Sequence, residues 1–220
     1  MAKKEKKRRR KQGRYLNRTQ VEEGLYLDVE GYAPGKKSGP RPPVLCGHQI
    51  GSDGPVIQTV FTRDFVAAAE ASGLETSTDR KAFFLNLMKE TQGRKLFAFS
   101  EHEQKVIKQA TTYEYRKKYR NVHVFAKRWM KREFPGQSTR GLALVDYLHT
   151  ADIKVPVDYG KDKVTEWLRE VAQHSSSKTK WKKAPASARK AWENILAHNR
   201  FDVAAMGELM SSCLPFRPGH

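Results

Sequence analysis

The stretch Leu25-Tyr26-Leu27-Asp28-Val29-Glu30-Gly31-Tyr32 constrains the fold of this chain more than any other. An apolar, β-favouring run turns acidic at alternate positions, and successive side chains of a strand point to opposite faces. Asp28 and Glu30 therefore share one face, and Leu27 and Val29 the other. Two neighbouring carboxylates on one face repel, and burying them unpaired costs several kcal/mol. A divalent cation over the pair removes that cost, because hard cations such as Mg²⁺ take oxygen ligands. The plain alternative is a half-exposed strand with an acidic outer face, and the tripeptide alone does not separate the two.

The rest of the chain adds charge of the opposite sign. Its 220 residues carry 42 Lys and Arg against 24 Asp and Glu, a net charge of +18. That surplus favours a polyanionic partner, DNA or RNA first and an anionic membrane surface second. Residues 1–20 alone hold ten Lys or Arg and one Glu, which is +9 of the total. Such a block repels itself and reads as a disordered basic arm for phosphate backbones, with a localisation signal or a solubility tail as the competing readings. It lacks the apolar segment of a secretory signal, and no run approaches the length of a membrane span. Cys46 and Cys213 are far apart and have no metal-ligand spacing. A reducing, cytoplasmic setting without a membrane is the expectation.

After the first strand, the Gly/Pro/Lys-rich residues 33–43 read as a turn. Residues 44–50 and 56–62 read as second and third strands joined through Ser52-Asp53-Gly54-Pro55, making an antiparallel meander. His48 reads as a partly buried sheet residue rather than a ligand. Helices are expected over 64–71 and 79–90, with Phe83, Phe84, Leu87 and Met88 as core, then a short strand over 95–99 and a helix from Glu101. Strand and helix after a meander give an α/β domain with a mixed sheet. Residues 113–134 interleave aromatics with positive charge, which suits a groove where bases stack and phosphates are neutralised, or an amphipathic helix burying Phe125 and Trp129. Helices follow over 141–151 and 161–173. Residues 174–185 are Ser/Lys-rich and read as mobile, with Trp181 either stacking or docked. A long helix runs from Ser187 towards Leu214, its apolar stripe built from Trp192, Ile195, Leu196, Val203, Met206 and Met210. Within it His198 and Asp202, four apart, share a face.

Three segments together resemble a known family. Leu25 to Tyr32, Phe99-Ser100-Glu101-His102-Glu103, and His198-Asn199-Arg200-Phe201-Asp202-Val203 are similar, in that order, to the three motifs of the ribonuclease H-like DEDD 3′–5′ exonucleases. The nearest pattern is the group whose second motif reads roughly Tyr-Gly-x-Tyr-Glu. The resemblance covers about residues 24–212. It implies a ribonuclease H-like mixed β-sheet flanked by helices over 21–214, between the basic arm (1–20) and a tail (215–220). It further implies that Asp28, Glu30, Glu103 and Asp202 hold two Mg²⁺ or Mn²⁺ ions, and that His198 stands where the family usually has Tyr, positioning or deprotonating the attacking water. Glu103 replaces the Asp of most such enzymes. Ser100-x-x-Glu103 is also a capping box, and Asp146 is a fallback for the second-motif acid.

The expectation is thus a two-metal-dependent 3′–5′ exonuclease on DNA or RNA. Lys117, Lys118, Arg120, Lys127, Arg128, Lys180, Lys182, Lys183 and Arg200 are the candidate nucleic-acid contacts. The alternative is a non-catalytic nucleic-acid-binding protein on a decayed fold of the same kind.

Overall fold

A computed structural model describes residues 16–32, 42–110, 118–159 and 163–214. It is an α/β fold built on one six-stranded mixed sheet with helices on both faces. The strands are β1 (Leu25–Glu30), β2 (Leu45–Ile50), β3 (Val56–Val60), β4 (Glu75–Thr76), β5 (Leu96–Ala98) and β6 (Tyr119–Asn121), in the order β4-β3-β2-β1-β5-β6. β2 runs antiparallel to both β1 and β3, while β5 and β6 run parallel to β1. The meander is thus present, and β1, the acidic strand, lies inside the sheet with partners on both sides.

The helices are α1 (Arg18–Glu22), α2 (Val66–Ala71), α3 (Arg80–Glu90), α4 (Glu101–Ala110), α5 (Val122–Glu133), α6 (Leu144–Thr150), α7 (Val164–His174), α8 (Lys178–Lys182) and α9 (Ala186–Cys213). The alternation of β1 decides how they are shared out. Leu25, Leu27 and Val29 pack with Phe84, Leu87, Val106 and Ile107 of α3 and α4 on one face. Tyr26, on the other face with Asp28 and Glu30, packs with α5, α6 and the second half of α9 through Val122, Trp129, Leu148, Val203 and Met206. A third cluster joins β2 and β3 to α2, α7 and the first half of α9 through Phe65, Leu168, Trp192 and Ile195.

Several expectations need adjusting. Residues 16–20, assigned to the basic arm, belong to the fold: Leu16 is buried, and Asn17 caps α1 by accepting from the Gln20 amide at 2.8 Å. Residues 1–15 lie outside the described residues, as do the tail at 215–220 and most of the turn at 33–41. The supposedly mobile 174–185 contains α8, capped by Ser177, and Trp181 packs against the third core cluster as a docked anchor. Between 113 and 134, residues 119–121 form β6 before α5 begins. His48 is buried, its ring set edge-on to Phe83. Among the described residues no helix is long and apolar enough to cross a membrane.

Candidate metal centre

The site forms where α9 lies across the sheet, and a missing side chain lets it sit there. In register across the sheet stand Gln58 of β3, Gly47 of β2 and Asp28 of β1. Asn199, fully buried on α9, lies over this row. Its Nδ2 donates to Asp28 Oδ2 at 2.7 Å, and its Oδ1 accepts from Gln58 Nε2 at 3.0 Å. A Cβ on Gly47 would stand 2.9 Å from Asn199 Cγ and closer still to Oδ1. The glycine permits the contact that aims Asp28. Gln58 is itself held, donating to the Leu196 carbonyl at 2.9 Å and accepting from Arg200 Nη2 at 3.3 Å.

One turn of α9 brings His198 and Asp202 to the same place. His198 Nε2 is 3.6 Å from Glu30 Oε1 and 3.6 Å from Asp202 Oδ2. One ligand atom from each of Glu30, His198 and Asp202 lies within 4.8 Å of the other two. Two residues of α9 thus reach the second acid of β1. Their side chains are only 11–13% exposed, enclosed but not sealed from solvent.

Glu103 enters from α4 and is buried. It lies outside the group formed by Glu30, His198 and Asp202. Its Oε2 accepts from the Ser100 amide at 2.9 Å while Ser100 Oγ accepts from the His102 amide at 3.0 Å, so it caps the helix. Its charge also bears on Asp28, Glu30 and Asp202, raising the pKa of each. Asp146, the fallback, accepts from the Ala143 amide at 2.7 Å at the start of α6.

The electrostatics are those of acids crowded together. Burial and then the charges of Asp202 and Glu103 push the Asp28 carboxyl up to about 8, against the opposing pull of His198 and Asn199. Glu30 is held well above the carboxylate range by burial and then by Asp28 and Asp202. Asp202 rises to about 7 through burial and Glu103, although its hydrogen bond from Tyr159 acts the other way. Among the described residues no lysine or arginine ion-pairs with Asp28, Glu30 or Asp202. Hard oxygen donors held together with no lysine or arginine beside them fit a divalent ion, whose charge would reverse every one of these shifts.

Tyr159 completes the site, and the motif reading missed it. Its hydroxyl donates to Asp202 Oδ1 at 2.7 Å, its carbonyl faces His198 Nδ1 at 2.8 Å, and its ring lies 4.5 Å from the imidazole. It sits in a loop without periodicity, 39 residues from His198, so no local pattern announces it. Asn199 lies inside the third segment with nothing local to mark its role, and Gln58 reads as one polar residue in a strand.

The basic positions are not gathered into one patch. Lys127 and Arg128 lie on α5, with Arg128 above the Phe125 ring. Lys118 and Arg120 crowd Lys95 near the amino ends of β5 and β6, whereas the acids are at the carboxyl end of β1. Lys180, Lys182 and Lys183 are exposed on and after α8, which packs on α2. Arg200 bonds Gln58, which is itself two hydrogen bonds removed from Asp28. Lys117 lies outside the described residues. No protein-family model, curated protein sequence or solved structure shows a significant match to the chain, so the site is read from its own residues.

Proposed function

We propose that this chain is a divalent-metal-dependent nuclease of ribonuclease H-like architecture, hydrolysing phosphodiester bonds in DNA or RNA from the 3′ end. The observation that carries the reading is the meeting of Glu30 from β1 with His198 and Asp202 from α9, with Asp28 and Glu103 close enough for their charges to act on the same acids. An acidic first strand inside a mixed sheet, a meander, an acid at a strand-to-helix junction and a late helix across the sheet occur in the order the resemblance implies.

Asp28, Glu30, Glu103 and Asp202 would hold the cations. Bound there, a pair of divalent ions would supply charge stabilisation at the phosphoryl oxygens and acidify the attacking water. The protein's own groups do the positioning. Asn199 fixes Asp28 by one oxygen, and Tyr159 fixes Asp202 by Oδ1, which turns Oδ2 towards Glu30 and His198. A carbonyl only accepts, so His198 donates its Nδ1–H to the Tyr159 oxygen and turns Nε2 towards the acids. Arg200 bonds Gln58 and so braces the amide that donates to Asn199.

The test is direct. Purified protein incubated with 3′- and 5′-labelled single- and double-stranded DNA and RNA is expected to shorten one or more of them with Mg²⁺ or Mn²⁺ and none with EDTA. Asp28→Asn should lower the rate by about 10²-fold or more. Intact substrates under all metal conditions, with retained binding, would leave only a nucleic-acid-binding protein.

A further inference from the structure

His198 stands beyond hydrogen-bond distance of two acids, at a separation that suits an ion pair when the ring is protonated or a shared cation when it is not. Its Nδ1–H is committed to the Tyr159 carbonyl, and Nε2 lies 3.6 Å from an oxygen of each of two acids. Direct hydrogen bonds to those oxygens would bring them to about 2.7–3.2 Å. Two donors each ~2.1 Å from one ion are instead separated by roughly 3.0 Å at a right angle and roughly 3.4 Å at the tetrahedral angle. The Glu30, His198 and Asp202 atoms, all within 4.8 Å of one another, need only sub-ångström adjustment to meet a single ion. The carbonyl behind the imidazole is the arrangement that orients a ligating histidine. The Tyr159 hydroxyl, on Asp202 Oδ1, leaves the other oxygen for the site.

We propose that His198 Nε2 is a metal ligand, forming with Glu30 and Asp202 a mixed imidazole–carboxylate site that takes a borderline first-row cation such as Mn²⁺ or Co²⁺ in preference to Mg²⁺. Mg²⁺ keeps to oxygen and water, whereas an imidazole adds to the affinity of softer divalent ions. This rests on the acids being a cation site, as proposed above, but not on phosphodiester hydrolysis.

The full-length, EDTA-stripped protein is titrated separately with MnCl₂, CoCl₂ and MgCl₂ by calorimetry, alongside His198→Gln. The native protein is expected to bind Mn²⁺ and Co²⁺ at least about tenfold more tightly than Mg²⁺. His198→Gln should lower the first two affinities about tenfold or more and the Mg²⁺ affinity by less than about twofold. In the Co²⁺ form, proton NMR with ¹⁵N-labelled imidazoles should show one hyperfine-shifted, exchangeable Nδ1–H. That resonance decides the matter on native protein even if the variant does not fold. Tyr159→Phe keeps the carbonyl and should keep the resonance. Unchanged Mn²⁺ and Co²⁺ affinity in His198→Gln, with turnover lost, would overturn the ligand role and leave the nuclease reading standing. The expected binding without cleavage of any substrate would do the reverse. No saturable binding of any of the three ions to native protein would sink both.

Discussion

Asn199 shows how much of the site rests on one neutral side chain. It is fully buried, and its amide is divided between an acid and an amide on two different strands. Asn199→Ala removes the donor to Asp28 and the acceptor for Gln58, and should cost about 1–3 kcal/mol in urea unfolding. The acids around it make stability depend on pH in an unusual direction. In the metal-free protein Asp28 and Asp202 have pKa values raised to about 8 and about 7, so the folded state keeps protons that the unfolded chain releases. Stability contributed by the cluster is therefore complete below the ordinary carboxylate range and falls as pH rises towards 8. Thermal melts in EDTA should show the protein more stable at pH 5 than at pH 8 as far as this cluster is concerned. Asp28→Asn should reduce that slope, melt above the native protein at pH 8, and lose most of the stabilisation that Mn²⁺ gives.

At the scale of elements, the close seat of α9 on β2 carries the geometry. Gly47→Ala should force Asn199 and its helix away from the sheet, losing about 2–3 kcal/mol and most metal affinity together, as read by unfolding and calorimetry. Glu103 asks a different question, because it both caps α4 and faces the acids. Glu103→Gln keeps an oxygen for the Ser100 amide and removes only the charge. Its melting temperature should stay close to native while its divalent-ion affinity falls at least about tenfold; unchanged affinity would reduce Glu103 to a cap. The strands and helices that carry the motifs were legible in the sequence, since alternation exposes β1 and a long apolar stripe exposes α9. β6 and α8 were not, because three residues and five residues among many lysines and arginines carry no period. Tyr159 and Gln58 were illegible for another reason. Their partners lie 39 to 142 residues away, and only the assembled sheet brings them together.

For the whole molecule, the net charge of +18 and the dispersal of its exposed cations over several faces point to binding in which many phosphates are neutralised weakly. If the chain binds nucleic acid as proposed, affinity for single-stranded DNA should fall steeply with salt, and removing residues 1–14 should flatten the log–log slope. An unchanged slope would remove the arm from the interface. The depth of the separation between the paired elements has a consequence for biosynthesis. Asp28 and the asparagine that holds it are 171 positions apart. A chain still emerging from the ribosome displays the charged strand long before its counterpart has been translated. The cation site therefore cannot close on a nascent chain until α9 has cleared the exit tunnel.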